Sequence, residues 1–208
     1  MKPPREPVFN APAAALVLVF LIIGGYGVQT LLPQEPLLMR YGFSPAGLEA
    51  GAWDTLVTAL FLHGSWAHAL LNGGFALAFA PPVARLLGEG GRGTVIFALF
   101  YLACGVLASL GYAEVHRDSA VLLVGASGAV AGLMGAASRL LGGGPLGPVF
   151  SRTSLSMALA WVVVNLLVAV IGFAPGLGEA KVAWEAHLFG YAAGLLLIGP
   201  AARLAGRR

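Results

Sequence analysis

The run DSAVLLVGASGAVAGLMGAASR, from Asp118 to Arg139, carries charge only at its two ends. Its interior is long enough to cross the hydrocarbon core of a bilayer, which takes about 20 apolar residues in helical form. Backbone polar groups in lipid have to bond within their own segment, so the run reads as a membrane helix. Inside it lies Gly125-Ala126-Ser127-Gly128, a serine held between glycines. Further charge-free runs lie between Glu6 and Glu35, Asp54 and Arg85, Arg92 and Glu114, Arg152 and Glu179, and Glu185 and Arg203. Together they predict a bundle of six transmembrane helices.

Composition agrees with that reading. Of 208 residues, 58% are hydrophobic and only 10% charged, against roughly a quarter charged in a soluble domain. The chain is expected to be an all-α integral membrane protein, one domain over 1–208, with helices near 12–32, 55–80, 93–113, 120–141, 153–173 and 182–202. Pro81-Pro82 is expected to mark the inner end of the second helix, and Gly142-Gly143-Gly144-Pro145 the loop after the fourth. The connection from Gln34 to Trp53, rich in apolar and aromatic residues, is expected to lie in the outer interface. Lys2 and Arg5 precede an apolar run as in a secretory signal, but the run is longer than such a signal's and more spans follow, so it reads as a retained helix.

Basic residues gather on the side where insertion retains them. With a cytoplasmic N-terminus, that side holds Lys2, Arg5, Arg85, Arg92, Arg139, Arg152, Arg203, Arg207 and Arg208, and the outside only Arg40, Arg117 and Lys181. Both termini are therefore expected in the cytoplasm. The net charge of +3 follows from this topology and is no argument for nucleic acid. The single cysteine, Cys104, excludes a disulfide within the chain and reads as a buried packing thiol.

The polar residues inside the spans fall at one depth. Helices two, four and six all run inward, so His68, Ser127 and His187, near their starts, share a level; at 1.5 Å per helical residue that is about 10 Å below the outer surface. A serine hydroxyl becomes a nucleophile when a base takes its proton, and a histidine can accept that proton and later return it to a leaving amine. Ser127 and His187 are the candidate dyad. No carboxylate lies in the middle of any span, so close packing at Gly190 and Gly194 is expected to orient His187. Gly128, Gly132 and Gly135 recur at helical spacing and give the fourth helix a smooth face for a close neighbour. If that helix starts near Ser127, its first amides also point to where an oxyanion develops. His68 and Asn72 are four apart on one helix face, and both carry donors that suit an oxyanion. His63, offset by five residues, is expected to act near the membrane surface.

These residues resemble the rhomboid intramembrane serine proteases. That family has a six-helix core, a Gly-x-Ser-Gly motif opening the fourth helix, a histidine on the sixth and a His-x-x-x-Asn pair on the second. Here they read Gly125-Ala126-Ser127-Gly128, His187 with Gly190 and Gly194, and His68 through Asn72, with His63 upstream. The resemblance implies Ser127 as nucleophile, His187 as general base, and His68, Asn72 and the Ser127 amide as oxyanion hole. It implies cleavage of single-span membrane proteins at or near the outer surface, where the substrate helix is locally unwound beside small residues, with no metal or cofactor; the chain's small size fits, by that resemblance, a bacterial inner membrane. Three positions depart from the family pattern: Ala131 replaces an aromatic common four residues after the serine, Trp53-Asp54 replaces a Trp-Arg pair, and Ala84 stands where a glutamate is often found.

Other classes fit less well. An inactive client-binding relative would normally lack the serine or the histidine. A metal hydrolase built on His63, His68 and His187 would usually add a carboxylate or thiolate ligand. A transporter would use an intramembrane charge pair, which these spans lack. A sortase-type relative that transfers the acyl group to another amine uses the same residues and is kept as the alternative.

Overall fold

A computed structural model of the chain describes residues 10–141, 146–171 and 183–207. It contains α1 (Ala13–Gln29), three short helices α2 (Gln34–Tyr41), α3 (Pro45–Glu49) and α4 (Thr55–Thr58), then α5 (Trp66–Leu87), α6 (Gly91–Val115), α7 (Ser127–Leu140), α8 (Arg152–Ile171) and α9 (Trp184–Leu204). Among the described residues there is no sheet, only one isolated antiparallel bridge between Phe43 and Leu123. The short helices α2 and α3 account for most of the connection from Gln34 to Trp53, where Met39, Tyr41 and Trp53 are exposed and Phe43 is fully buried.

Among the described residues four helices, α5, α6, α8 and α9, are long and apolar enough to cross a membrane. Apolar α1 has 17 residues, and α7 only 14. The shortness of α7 follows from its place. Every residue from Gly128 to Arg139 is buried, so this helix is enclosed by its neighbours and has no lipid-facing side to extend.

The first part of the run between Asp118 and Arg139 is not helical. Leu123 exchanges backbone hydrogen bonds with Phe43, and the Gly125 N–H donates to the Ala59 carbonyl at 2.9 Å. Non-helical backbone at membrane depth is tolerated where protein supplies its partners, as here. The expected helix over 120–141 therefore begins only at Ser127. The second helix also begins later than expected, at Trp66 and not near residue 55, because α4 and a 3-10 turn at Ala59–Phe61 precede a break. Ser65 caps the new start, its hydroxyl accepting from the His68 N–H at 3.1 Å.

Pro81 and Pro82 lie inside α5 and do not end it. Two helix bonds are lost there, but Ala80, Val83, Ala84 and Leu87 are buried in the core and hold the helix across them. Ala84, at 2% exposure, belongs to that apolar packing. The helix stops at Gly88, whose φ of +101° favours glycine. Gly142 to Pro145, Lys2, Arg5, Glu6, Glu179, Lys181 and Arg208, with the expected helix ends near 173 and 182, lie outside the described residues.

Backbones meet closely where α7 crosses α9 and α6. A Cβ on Gly190 would overlap the Gly128 carbonyl, one on Gly194 the Gly132 carbonyl, and one on Gly135 the Tyr191 carbonyl. On the α6 side, a Cβ on Gly128 would sit 2.7 Å from the Ala108 Cβ, and one on Gly132 would run into Cys104. Cys104 is fully buried in that contact. The glycine stripes thus set how near α9 approaches α7. At the far end of the bundle, Arg139 ties α7 to the carbonyls of Gly147 (2.8 Å) and Leu195 (3.1 Å).

Candidate active site

Three helices begin at one end of the bundle, and each carries a candidate residue in its first turns. His68 follows the α5 start, Ser127 is the first residue of α7, and His187 is the fourth of α9. Their convergence comes from these helix starts. The expected depth at about 1.5 Å per helical residue loses its basis for Ser127, because the chain from Ser119 to Ala126 is not helical.

Ser127 Oγ and His187 Nε2 are 2.9 Å apart. On the other side of the ring, His187 Nδ1 faces Asn165 Oδ1 at 2.8 Å. Asn165 lies on α8 and is 4% exposed. Its Nδ2 donates to the Trp161 carbonyl at 2.8 Å. Trp161 in turn donates its ring N–H to the His187 carbonyl at 3.4 Å, and its ring stands 6.0 Å from the imidazole at 37°. Ala131, 1% exposed, packs in the same cluster as Trp161. An aromatic from α8 therefore stands beside the histidine, on the helix next to the one where the family pattern has it.

Gly125 makes room for the second group. Its φ is +125°, and a Cβ there would lie 2.7 Å from His68 Cε1 and Nε2 and 3.8 Å from Asn72 Nδ2. Both side chains are thus seated against backbone two residues before Ser127. Asn72 is buried and donates one N–H to the His68 carbonyl at 3.1 Å, leaving its second amide hydrogen unspent in that bond. Helix geometry leaves the Ser127 amide without an acceptor in its own helix.

His63 is fully buried behind this group. Its Nε2 accepts from the Ala126 N–H at 3.5 Å, and its ring packs edge-on to His68 at 5.1 Å. Gln29, at the end of α1, clamps its backbone: Gln29 Nε2 donates to the His63 carbonyl at 2.8 Å, and the His63 N–H donates to Gln29 Oε1 at 2.9 Å. His63, His68 and His187 do not aim at a common point, since their ring contacts run to Ala126, Gly125 and Ser127 respectively.

Ser127, His187, His68, Asn72 and Asn165 all line one cavity of about 570 Å³, whose remaining wall is largely apolar. Two ion pairs tie neighbouring elements together. Arg40 binds Asp54 at 2.8 Å and lies over the Tyr41 ring, so the aspartate that departs from the family's Trp-Arg pair has its own arginine. That hydrogen bond and the Asp54 charge hold Arg40 above its usual pKa. His116 Nε2 meets Glu185 Oε1 at 3.0 Å and joins the end of α6 to the start of α9.

Asn165, Trp161 and Gln29 are the site residues that sequence reasoning passed over. Asn165 had a signal: it is a lone amide in the apolar stretch WVVVNLLVAV, and intramembrane polar residues are rarely idle. A search for a carboxylate partner of His187 does not see it.

Comparison with known proteins identifies the family. The family model for the Rhomboid domain matches residues 50–203. The chain is also 28% identical over 189 residues to a protein of Bacillus subtilis (strain 168) named "Putative rhomboid protease YdcA", covering 91% of this chain and 78% of that one. The match takes in α5 to α9 almost whole, with His63, His68, Asn72, Ser127, Trp161, Asn165 and His187 inside it and Gln29 before it. The chain belongs to the rhomboid family, and at that level it is an integral membrane protein of a family of intramembrane proteases.

Proposed function

We propose that this chain is a serine endopeptidase that cuts transmembrane segments of single-span proteins with a Ser127–His187 dyad. The observation that carries the reading is the 2.9 Å contact between Ser127 Oγ and His187 Nε2 within an apolar cavity. In the acylation step Ser127 Oγ attacks the scissile carbonyl while its proton passes to Nε2. The resulting oxyanion is received by the His68 ring N–H, the free Asn72 amide hydrogen and the Ser127 N–H. Collapse expels the amine, which takes the proton from His187, and a water repeats the sequence to release the acyl group. A peptide bond inside a hydrogen-bonded helix cannot reach these donors, so substrates with Gly, Pro or Ala near the cut, which unwind easily, are favoured.

In this reading α1 and α5 to α9 are the six spans, the serine end faces outward and both termini face the cytoplasm of a bacterial cell. The support is the distribution of basic residues: Arg85, Arg92, Arg139, Arg152 and Arg203 stand at the helix ends remote from Ser127, and among the described residues only Arg40 and Arg117 near it.

The test is labelling of purified protein by a fluorophosphonate probe together with cleavage of a model single-span substrate. Ser127→Ala is expected to abolish both. Labelling or cleavage that survives Ser127→Ala overturns the proposal.

A further inference from the structure

Asn165 uses both ends of its amide. Nδ2 donates to the Trp161 carbonyl one turn earlier, at 2.8 Å, and Oδ1 faces His187 Nδ1 at 2.8 Å. A carbonyl only accepts, so the amide nitrogen must point at Trp161, and a flipped amide would set two acceptors against each other. Oδ1 is therefore the atom presented to the ring. Since Oδ1 also only accepts, Nδ1 has to carry the hydrogen. In a neutral imidazole that leaves Nε2 as the lone-pair nitrogen, and Nε2 is the atom beside Ser127 Oγ.

We propose that Asn165 is the positioning residue for His187, holding it in the Nδ1–H tautomer with Nε2 free to take the serine proton. The proposal rests on reading Ser127 and His187 as the catalytic pair. Trp161, on the same helix, holds the His187 backbone carbonyl and flanks the ring, so α8 fixes both the place and the hydrogen of the base. A neutral amide does this without a buried carboxylate, which would be costly in an apolar interior. It differs from an aspartate in one respect: it gives the imidazolium no counter-charge.

An ordinary interhelical hydrogen bond between α8 and α9 would explain the contact but not its polarity. Two measurements separate the roles. In ¹⁵N-histidine-labelled wild-type protein in detergent micelles, with His187 assigned by a His187→Gln variant, neutral His187 is expected to show a protonated Nδ1 and a bare Nε2. A protonated Nε2 in neutral wild-type His187 overturns the proposal whatever the activity. In the kinetics, Asn165→Val is expected to lower kcat about 100-fold or more, the scale of lost general-base catalysis, while KM moves less than about 3-fold.

Asn165→Asp keeps an acceptor for Nδ1–H and adds a charge. It is expected to recover at least about a tenth of wild-type kcat, with the acid limb of its pH profile moved to higher pH because the carboxylate stabilises the imidazolium. His68, the other imidazole lining the cavity, and the His116–Glu185 pair at the α9 start are unchanged in both variants and do not contribute to that shift. A wild-type kcat in Asn165→Val, or a wild-type pH profile in an active Asn165→Asp, overturns the proposal. Failure of the protease reading shows elsewhere, as cleavage that survives Ser127→Ala. The nitrogen spectra test the tautomer even then.

Discussion

Gly190 lies so close to Gly128 that a Cβ on it would overlap the Gly128 carbonyl oxygen. This contact, one residue after Ser127 and three after His187, sets the distance between the two candidate catalytic side chains. A serine hydroxyl is short, and helices at ordinary spacing would leave it out of reach of a ring on the neighbouring helix. Gly194 repeats the contact one turn further along, against the Gly132 carbonyl.

Gly194→Ala is therefore expected to push α9 away from α7. Overpacking of this kind costs about 1–3 kcal/mol. For a chain of this size each kcal/mol lowers Tm by about 2–4 °C. Thermal unfolding in detergent checks the first effect, and the rate of fluorophosphonate labelling at a temperature where the variant is folded checks the second. Labelling at the wild-type rate would show that the spacing does not control the Ser127–His187 contact.

Gly125 separates a defect of the oxyanion donors from one of stability. Alanine there is strained at φ +125° and its Cβ meets the His68 ring at 2.7 Å, so His68 must turn away. Loss of one oxyanion donor costs about 100–1000-fold in kcat, and Gly125→Ala is expected to fall in that range. Gly74→Ala is the control, because nothing lies within 4 Å of a Cβ at that position. A Gly125→Ala protein with wild-type turnover would remove His68 from the proposed oxyanion group.

The elements legible in the sequence are those whose signal is local. Ser127, His187, His68 and Asn72 stand out as polar residues in charge-free runs, and the structure brings them to one cavity. Helix limits were less legible, because charges mark where an apolar run ends and not where helical backbone begins. The run from Ser119 to Ala126 is not helical, since the backbone partners of Leu123 and Gly125, Phe43 and Ala59, come from far earlier in the chain. Pro81 and Pro82 read as a stop, yet core packing on both sides carries α5 through them. Asn165 is hard to read from sequence for a chemical reason: a carboxylate is the usual partner of a catalytic imidazole, yet an uncharged amide can orient it as well.

Gln29 tests how far the support for the site reaches. It makes two hydrogen bonds to the His63 backbone and is 4% exposed, so Gln29→Leu strands a buried N–H and C=O at about 1–3 kcal/mol. His63 in turn accepts from the Ala126 N–H beside Ser127. The variant is expected to unfold at lower temperature and to label more slowly, while Gln34→Leu, which removes only the partly exposed partner of Gln29, changes labelling little. Equal labelling rates for Gln29→Leu and wild type would confine Gln29 to stability alone.

His68 and Asn72 are coupled, which makes their double variant informative. Asn72 Nδ2 has two hydrogens; one binds the His68 carbonyl at 3.1 Å and the other is the proposed oxyanion donor. Asn72→Ala removes both, and so loosens the first turn that carries His68. His68→Ala and Asn72→Ala are each expected to lower kcat by about 100–1000-fold with KM little changed. The double variant should lose less than the product of the two, because neighbouring groups that act as a unit are not additive. Asn72→Asp keeps the shape and removes the donors, and it should be as inactive as Asn72→Ala. Wild-type kcat in Asn72→Asp would mean that the amide hydrogen faces no developing charge, and the oxyanion group would reduce to His68 and the Ser127 amide.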